Sequence, residues 1–373
     1  MEVVVRKSDL LRELQLFQGI VERKNTIPIL ANVLMEADNR EVKLLATDLE
    51  VGLRSKCAAS VATGGSLTLP AKKLYEIIKA LPETEIRIEE FKGGVKVAAD
   101  RFDSRMQTLP REDFPALPEV SGSNGATLSS AAFRQMVAKT QFAITGEDTR
   151  YFLNGALFVL TADDMTLVAT DGHRLALVSV KRDPEGAARE AAEAEVRVIL
   201  PKKTLGELAR LLGEGAEIIR YVRGDNHLFF EVGDRVLISR MIEGQFPAYE
   251  RVIPKNNDKR VEFERERLTG ALKRVALLSN ERSRAVKFQI EKGRVEIASS
   301  SPEFGEAKEV LPVDYAGVET QICFNAQYVL DFLVAVDSDA VALEFKDEMS
   351  QAVMRPVGAE GYDYTYVIMP MRI

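Results

Sequence analysis

The feature that most constrains the fold of this chain is a segment that occurs three times at domain-sized intervals. The sequences LPAKKLYEIIKALPE, LPKKTLGELARLLGE and FNAQYVLDFLVAVDS begin at Leu69, Leu200 and Phe324. Each one spaces its apolar residues as an amphipathic helix does. The intervals of 131 and 124 residues are much longer than a solenoid repeat and match whole domains. The sequence therefore predicts three copies of one domain, related by approximate symmetry.

Each copy also contains an earlier amphipathic helix and two sets of strands. Ser8 and Ser129 are the predicted N-caps of the earlier helices in the first two copies, because a hydroxyl there can accept a hydrogen bond from an amide that lacks a partner. Alternating apolar residues predict hairpins, with turns at residues 38–39 and 292–293. The predicted fold class is α+β, with three repeated domains, each of two helices packed on antiparallel sheets of roughly eight strands.

Proline-rich segments mark the ends of the first two copies. They read TLPREDFPALP from Thr108 and GQFPAYERVIP from Gly244. Proline has no amide hydrogen to donate and favours such connecting segments. We therefore expect three domains, at residues 1–120, 121–254 and 255–373.

Composition excludes several classes of protein. The N-terminus lacks a signal sequence, and no apolar stretch of about 18 residues occurs, so we expect a cytoplasmic protein that does not cross a membrane. The two cysteines, Cys57 and Cys323, are far apart and lack a CxxC partner, so they predict buried thiols rather than a disulfide framework. The two histidines are also dispersed, and we expect no metal site and no cofactor.

The polar faces of the helices carry basic residues at repeated positions. Lys72 and Lys79 lie opposite the apolar face of the second helix in the first copy, and Lys203 and Arg210 take those positions in the second copy. Five of the six helical segments are net positive, whereas the whole chain has a net charge of -7. This pattern is expected if the helices line a surface that meets phosphate groups, although solvated helix faces are also often charged.

A possible catalytic cluster occurs in ATDGHRLAL, which brings Asp171, His173 and Arg174 together. A hydrolase or transferase centred on these residues is one alternative. No nucleophile motif, P-loop or HExxH sequence accompanies them, however. The first copy has ATDLEVGL at the same place, so a repeated Thr-Asp pair, Thr47-Asp48 in that copy, is better interpreted as turn chemistry. A passive scaffold without a DNA role is a further alternative.

Several stretches resemble the bacterial sliding clamp, the beta subunit of DNA polymerase III. They are RYFLNGALF from Arg150, ATDGHRLA from Ala169, FPAYERVIP from Phe246, LLSNE from Leu277 and YVIMPMRI from Tyr366. The resemblance extends from the first helix to the last residue. It implies the DNA clamp fold, in which one chain forms half of a six-domain ring with the helices inside.

What the resemblance implies about function is a non-catalytic accessory subunit of a DNA polymerase holoenzyme, that is, a DNA replication processivity factor. A homodimeric ring would encircle double-stranded DNA without sequence preference and slide along it, because contacts to phosphates carry no sequence information. It would tether the replicative DNA polymerase at a high effective concentration. A clamp loader complex and other proteins with the clamp-binding motif would be further partners.

The resemblance also assigns site residues. A methionine-rich cleft can adapt to several partner peptides. The implied peptide-binding pocket comprises Leu153, Gly155, Thr170, Gly172, His173, Arg174, Leu175, Pro247, Arg251, Val252, Asn325, Tyr328, Met349, Val367, Met369, Pro370, Met371 and Arg372. The implied DNA contacts are Lys24, Lys72, Tyr151 and Phe152, with Lys73, Arg101, Lys202 and Lys203 as helpers. The implied dimer interface contains Met106, Leu277 and Leu278.

Two positions near the implied DNA contacts depart from the family pattern. Phe152 stands where the family often has a second tyrosine, and it lacks the hydroxyl group. Glu147 places a negative charge in the same loop, and this charge would repel phosphate. We therefore expect this loop to contact DNA differently.

Overall fold

A computed structural model describes residues 1–21, 26–120, 125–146, 148–182, 195–213 and 215–372 of the chain. Within these residues the chain forms two compact units. One contains residues 1–133 and 203–241, and the other contains residues 134–182, 195–202 and 242–372. The units do not coincide with the three copies, because each contains part of the central copy. No helix in the described part of the chain is long and apolar enough to span a membrane.

The described residues of the first copy form two α-helices and nine strands. In chain order its elements are β1 (Glu2–Arg6), α1 (Lys7–Phe17), β2 (Asn32–Asp38), β3 (Glu41–Thr47), β4 (Val51–Ala58), β5 (Ser60–Thr63), β6 (Gly65–Pro70), α2 (Ala71–Ala80), β7 (Glu85–Phe91), β8 (Gly94–Ala99) and β9 (Phe102–Met106). The prediction that Ser8 is an N-cap is wrong, because α1 begins one residue earlier and Arg6 takes the cap position. The amide of Ser8 donates instead to Oε1 of Glu83, at 3.2 Å.

The second copy repeats this order with eight strands. Its elements are β10 (Gly125–Ser129), α3 (Ser130–Thr140), β11 (Gly155–Leu160), β12 (Asp164–Thr170), β13 (Arg174–Lys181), β14 (Val196–Pro201), α4 (Lys202–Leu212), β15 (Ile218–Arg223), β16 (His227–Val232) and β17 (Arg235–Arg240). Here the predicted cap is confirmed, since Oγ of Ser129 accepts a hydrogen bond of 3.3 Å from the amide of Ala132.

The third copy has the same order again. Its elements are β18 (Lys259–Glu264), α5 (Arg265–Val275), β19 (Ala285–Glu291), β20 (Arg294–Ser301), β21 (Gly305–Pro312), β22 (Thr320–Asn325), α6 (Ala326–Ala335), β23 (Ala340–Phe345), β24 (Ala352–Val357) and β25 (Asp363–Ile368). The predicted hairpin turns are confirmed, because Asn39 and Gly293, each between two paired strands, have positive φ angles of 54° and 77°. The described residues thus contain three copies of two helices with eight or nine antiparallel strands, as predicted.

Four antiparallel sheets hold these elements together. In the first unit, one sheet has the order β5-β1-β7-β8-β9, and an eight-stranded sheet has the order β10-β15-β16-β17-β4-β3-β2-β6. In the second unit, an eight-stranded sheet has the order β14-β11-β12-β13-β25-β24-β23-β18, and a smaller one has the order β21-β20-β19-β22. Each eight-stranded sheet therefore combines four strands from one copy with four from the next.

The proline-rich segments that follow β9 and β17 each pack on one face of an eight-stranded sheet. In the first copy, Phe114 packs in a cluster with Leu34 of β2 and Leu45 of β3. In the second copy, Phe246 packs on a cluster that contains Leu157 of β11 and Val168 of β12. Burial of these apolar side chains fixes each segment across its own copy.

The two cysteines have different environments. Cys57 is 6% exposed, which confirms the prediction of a buried thiol, and burial raises its pKa to about 12. Cys323 is only partly buried, so the prediction holds less well there. Burial also raises the pKa of Cys323, while nearby Lys287 acts in the opposite direction.

Candidate functional site

The turn that joins β12 to β13 is built by the repeated Thr-Asp pair. Oγ1 of Thr170 accepts from the amide of Gly172 at 3.1 Å, and Oδ1 of Asp171 accepts from the amides of His173 and Arg174 at 2.9 and 3.0 Å. Gly172 has a φ of 89°, which favours glycine. The carboxylate of Asp171 is thus occupied by backbone amides, and it does not pair with the imidazole of His173. This geometry supports turn chemistry rather than a catalytic relay.

Arg174 anchors this turn to two other parts of the same unit. Its guanidinium donates to Oδ2 of Asp171 at 3.0 Å, to Oδ2 of Asp331 at 2.5 Å and to the carbonyl oxygen of Phe142 at 2.7 Å. It also lies 4.3 Å from the ring centre of Tyr328. Burial opposes the charged form, but the surrounding acidic groups raise the pKa of Arg174 above its ordinary value. Arg174 therefore acts as a fixed, charged hub.

The C-terminal strand brings further predicted pocket residues to this turn. Leu175 pairs with Val367 across β13 and β25, and both side chains are buried in one apolar cluster. The amide of Met369 donates to the carbonyl oxygen of His173 at 3.0 Å, so the chain beyond β25 stays beside the turn. The side chain of Met369 is 40% exposed. The floor of the site is apolar, and a methionine lies at its rim.

The remaining predicted pocket residues lie in the same unit, in several elements. Leu153 and Gly155 are buried at the start of β11. Asn325 caps α6 by accepting from the amide of Gln327 at 2.9 Å, which places Tyr328 in the first turn of that helix. The positions that expose surface near the ends of these elements are Pro247, Arg251, Val252, Met349 and Arg372. Pro370 and Met371 are partly buried.

The predicted DNA-binding lysines fall into two groups. Lys72 and Lys73 in α2 have side chains that are 52% and 69% exposed, and both lie near Glu76, at 3.9 and 2.7 Å. Such exposed pairs contribute little and exchange readily with solvent. In contrast, Nζ of Lys203 in α4 bonds to the carboxylate of Asp48 and to the carbonyl oxygen of Ile20. Lys203 is therefore turned toward the protein.

Lys202 is also held by the backbone, since its ammonium donates to the carbonyl oxygen of Ile144 at 2.9 Å. Arg101 is exposed in the turn between β8 and β9. The ring of Tyr151 is 59% exposed and meets Phe152 edge to face, with 6.1 Å between ring centres. The predicted positions Lys24 and Glu147 lie outside the described residues.

An ion pair joins Asp148 and Arg150, directly before Tyr151. Arg150 donates to both carboxylate oxygens of Asp148, at 3.0 and 2.8 Å, and these hydrogen bonds lower the pKa of Asp148 to about 2. The amide of Asp148 donates to Oδ1 of Asn154 at 3.0 Å. These hydrogen bonds hold residues 148–150, which directly precede the exposed ring of Tyr151.

The predicted interface residues differ in exposure. Leu277 is 77% exposed, the highest value among the large apolar side chains that the structure leaves open to solvent, whereas Leu278 is partly buried. Met106 is only 8% exposed, at the end of the edge strand β9. In the described part of the chain, no group of three or more acidic, histidine or cysteine side chains could hold a metal ion.

The sequence pattern did not reveal three structural partners. Asp331 and the carbonyl of Phe142 hold Arg174, but they are far from it in the chain and no motif marks them. Asp48 was recognised as a turn residue but not as the partner of Lys203. The same aspartate recurs at both turns, and in the fold each one binds a basic residue. Its recurrence in the sequence is the signal that could have indicated such pairing.

Comparison with known families decides the identity of the fold. The models for the N-terminal, central and C-terminal domains of the DNA polymerase III beta subunit match residues 1–118, 127–248 and 250–372. The chain belongs to the DNA polymerase III beta-subunit family. The predicted family and the three-domain α+β clamp fold are thereby confirmed.

Relatives in the beta-subunit family match over their full lengths. The beta sliding clamp of Pseudomonas putida is 38% identical over 377 residues, and that of Pseudomonas aeruginosa is 37% identical over 377 residues, with 100% of both chains covered in each comparison. The crystal structure of the DNA polymerase III subunit beta from Pseudomonas aeruginosa is 36% identical, with a TM-score of 0.93 and 100% of both chains covered. The similarity therefore spans all three domains of the beta-subunit fold, and a place in DNA replication follows from the family.

Proposed function

We propose that the protein is a replication processivity factor that closes into a homodimeric ring around duplex DNA and tethers the replicative polymerase. The observation that carries the proposal is the pairing of strands between successive copies. In the first eight-stranded sheet, β17 of the second copy pairs with β4 of the first. In the other, β25 of the third copy pairs with β13 of the second. Each junction joins the last strand of one copy to a strand of the copy before it. That strand is the third of the three that follow the first helix of its copy.

By the same correspondence, a third junction of this kind is missing within a single chain. The strand of the first copy that corresponds to β17 and β25 is β9, and the strand of the third copy that corresponds to β4 and β13 is β21. Both are edge strands, each at the end of a smaller sheet. Pairing β9 of one chain with β21 of a second would supply the missing junction. Two such pairings would close six domains into a ring and remove both open edges.

Exposed apolar side chains support this junction. Large exposed apolar residues beside the two edges are Phe102, Leu277, Phe304 and Val310, with exposures of 37%, 77%, 55% and 49%. Phe102 begins β9, Phe304 immediately precedes β21 and Val310 lies within it. Covering apolar surface of this kind stabilises association, so it fits an interface between two chains.

The DNA contacts in this proposal are mainly electrostatic. Lys72, Lys73 and Arg101 present charge to solvent, and Tyr151 presents an exposed ring. Contacts of lysine and arginine to phosphates carry no sequence information, and they allow sliding. Because Lys202 and Lys203 are held by protein groups, we assign them a smaller part than the sequence implied. The protein acts as a tether in the compartment that holds the DNA, and no catalytic role is assigned to it.

The partner peptide in this proposal binds beside Arg174. The apolar floor of Leu175 and Val367 would receive an apolar side chain, and the flexible thioether of Met369 would adapt to different sequences. The partly buried Arg174 keeps the turn rigid, so little order has to be gained on binding. The replicative polymerase, the clamp loader and other proteins with such a motif would use the same pocket in turn.

Retention on DNA tests the ring. The protein, loaded by its clamp loader, is expected to stay on closed circular DNA and to leave within the assay once that DNA is cut. Equal retention on circular and linear DNA would overturn the ring.

The variant Leu277→Lys should weaken dimerisation in analytical ultracentrifugation, since it places a charge in the apolar junction. Val318→Lys is the matched control, because Val318 is 72% exposed but lies outside the two edge strands.

Removal of the chain from Met369 onward tests the pocket. The truncated protein is expected to lose binding of a polymerase-derived peptide, measured by fluorescence anisotropy, while it remains a dimer in ultracentrifugation. Unchanged peptide affinity would count against the pocket, whereas dissociation into monomers would show that the segment acts at the junction instead.

A further inference from the structure

The pairing registers identify equivalent positions on one face of the hairpin sheet in all three copies. In the first copy, Leu34 pairs with Thr68 on one side and with Leu45 on the other. In the second copy, Leu157 pairs with Ile199 and with Val168. In the third copy, Lys287 pairs with Cys323 and with Ala298. Thr68, Ile199 and Cys323 each lie two residues before the end of the strand that leads into the second helix.

In the first two copies, a segment of the chain begins to cross this face at the same point. The amide of Leu109 donates to Oγ1 of Thr68 at 3.1 Å, and the amide of Ile242 donates to the carbonyl oxygen of Ile199 at 3.3 Å. Each segment then continues across the sheet. Phe114 covers Leu34 and Leu45 in the first copy, as Phe246 packs on the corresponding cluster in the second.

The third copy has the entry point but no covering segment. The amide of Met371 donates to the carbonyl oxygen of Cys323 at 2.8 Å, which repeats the entry contact. Among the described residues, up to 372, none lies across the rest of this face. An open groove of about 860 Å³ is found there instead, lined by residues that include Ala285, Lys287, Ala298, Ser300, Lys308 and Cys323. Its volume is in the range of known ligand sites.

The side chains of the groove differ in a consistent way from those of the covered faces. Where the first two copies have leucine, the third has Lys287, and where they have leucine or valine it has the smaller Ala298. Lys308 lies 3.9 Å from Glu296, and Glu306 adds a second acidic group to the lining. The backbone of Lys287 pairs within the sheet, but its ammonium group has no hydrogen bond or ion pair to another described residue.

We propose that this groove binds an extended, acidic segment of a partner protein, which crosses the third copy as the proline-rich segments cross the first two. An extended chain fits the equivalent face in the first two copies, since Phe114 and Phe246 pack there. The change from leucine to Lys287 indicates that the occupant carries a carboxylate where Phe114 lies in the first copy. The smaller Ala298 leaves room for that carboxylate beside the ammonium group. The residues that line this groove differ from those assigned to the pocket beside Arg174, and Met371 lies between the two surfaces.

A peptide from the chain itself provides the probe. A synthetic peptide of residues 107–120 with the change Phe114→Glu presents a carboxylate in the extended setting that the fold uses. The full-length protein is mixed with this peptide, and the rate of alkylation of Cys323 is measured by mass spectrometry. Cys57 serves as an internal control, because it is buried and its thiol has a pKa of about 12.

Saturable protection of Cys323 by the acidic peptide is the expected result. The variant Lys287→Glu should weaken this protection about tenfold, and Lys287→Gln by less, since the first reverses the charge and the second only removes it. A double variant, Lys287→Leu with Ala298→Leu, should instead favour the unchanged peptide that contains Phe114. This reversal of preference would not arise from a general loss of stability.

Three results would overturn the proposal. The first is the absence of protection at millimolar peptide. The second is equal protection in the protein with Lys287→Glu. The third is protection that depends on protein concentration without peptide, because it would identify a second copy of this chain as the occupant of the groove.

Discussion

The turns that follow β3 and β12 have the same backbone chemistry but hold different partners. At the first turn, Thr47 accepts from the amide of Leu49 at 2.9 Å, and Asp48 accepts from the amides of Glu50 and Val51 at 2.9 and 2.6 Å. At the second turn, Thr170 and Asp171 accept from the amides at the same offsets. The first threonine also donates to the carbonyl of Val51, as the second does to that of Arg174. The same hydrogen-bonded turn therefore occurs in both copies.

The difference lies in what the second carboxylate oxygen binds. Asp48 holds Lys203, which comes from a helix of the next copy, whereas Asp171 holds Arg174 of its own turn. The residue after the aspartate also differs, because Leu49 has a φ of 78° where the other turn has Gly172. One turn withdraws a basic residue from solvent, and the other fixes the wall of the candidate peptide pocket. The same type of turn thus has two different roles in the two copies.

Of the changes proposed here, Arg174→Ala at the second turn should lower the free energy of unfolding the most. It leaves the carboxylates of Asp171 and Asp331 without their cation in a partly buried site, and loss of one member of a buried pair costs about 3–5 kcal/mol. Urea unfolding would measure the change in the free energy of unfolding. Arg174→Lys should cost less, although it cannot keep all three hydrogen bonds. A decrease of less than about 1 kcal/mol in the free energy of unfolding for Arg174→Ala would show that the bonds of Arg174 are dispensable for stability.

Asp48→Asn should have the next largest effect. The amide oxygen can still accept from the backbone, but the charged bond to Lys203 is lost, at a cost of about 1–3 kcal/mol. Asp171→Asn is the matched control and should cost less, because Arg174 keeps Asp331. If the released Lys203 reaches DNA, the slope of log affinity against log salt should steepen by about 0.9. An unchanged slope would show that Lys203 points away from DNA even when it is released.

Leu49→Gly should slightly stabilise the first turn. A leucine at positive φ costs about 1–2 kcal/mol, part of which is offset by the greater freedom of glycine in the unfolded chain. Thermal unfolding is expected to shift upward by a few degrees at most. The reciprocal change Gly172→Ala should destabilise the second turn, because its Cβ would also lie 3.3 Å from a guanidinium nitrogen of Arg150. A destabilised Leu49→Gly variant would indicate that the exposed leucine has a stabilising contact.

The smallest effect is expected from pH at the first turn. Burial, with a contribution from Arg240, lowers the pKa of His227 below 6.5, and His227 lines a small cleft beside Thr47 and Leu49. The unfolded chain then takes up a proton more readily than the folded one, so folding stability should fall as the pH drops below about 6.5. This dependence should disappear in His227→Gln, and its persistence would assign it to other groups.

Sequence pattern predicted those features that depend on neighbouring residues. The helices, the hairpins, the Ser129 cap and the Thr-Asp turns all follow from local spacing and side-chain chemistry. The prediction of Ser8 as a cap was wrong because strand β1 runs directly into a helix that begins at Lys7, which leaves Arg6 at the cap. The bonds from Asp48 to Lys203 and from Arg174 to Asp331 join residues far apart in the chain. No local pattern encodes such pairs, since they depend on how the copies pack.

The shared sheets have a consequence for how the molecule opens. Strands β4 and β17 belong to different copies of the repeat, yet they are hydrogen-bonded neighbours in the middle of one sheet. Backbone amides in such a sheet exchange with solvent only when the neighbouring strands separate together. In native-state hydrogen exchange we therefore expect β4 and β17 to lose protection as one unit. The repeat that is visible in the sequence would then differ from the unit that unfolds.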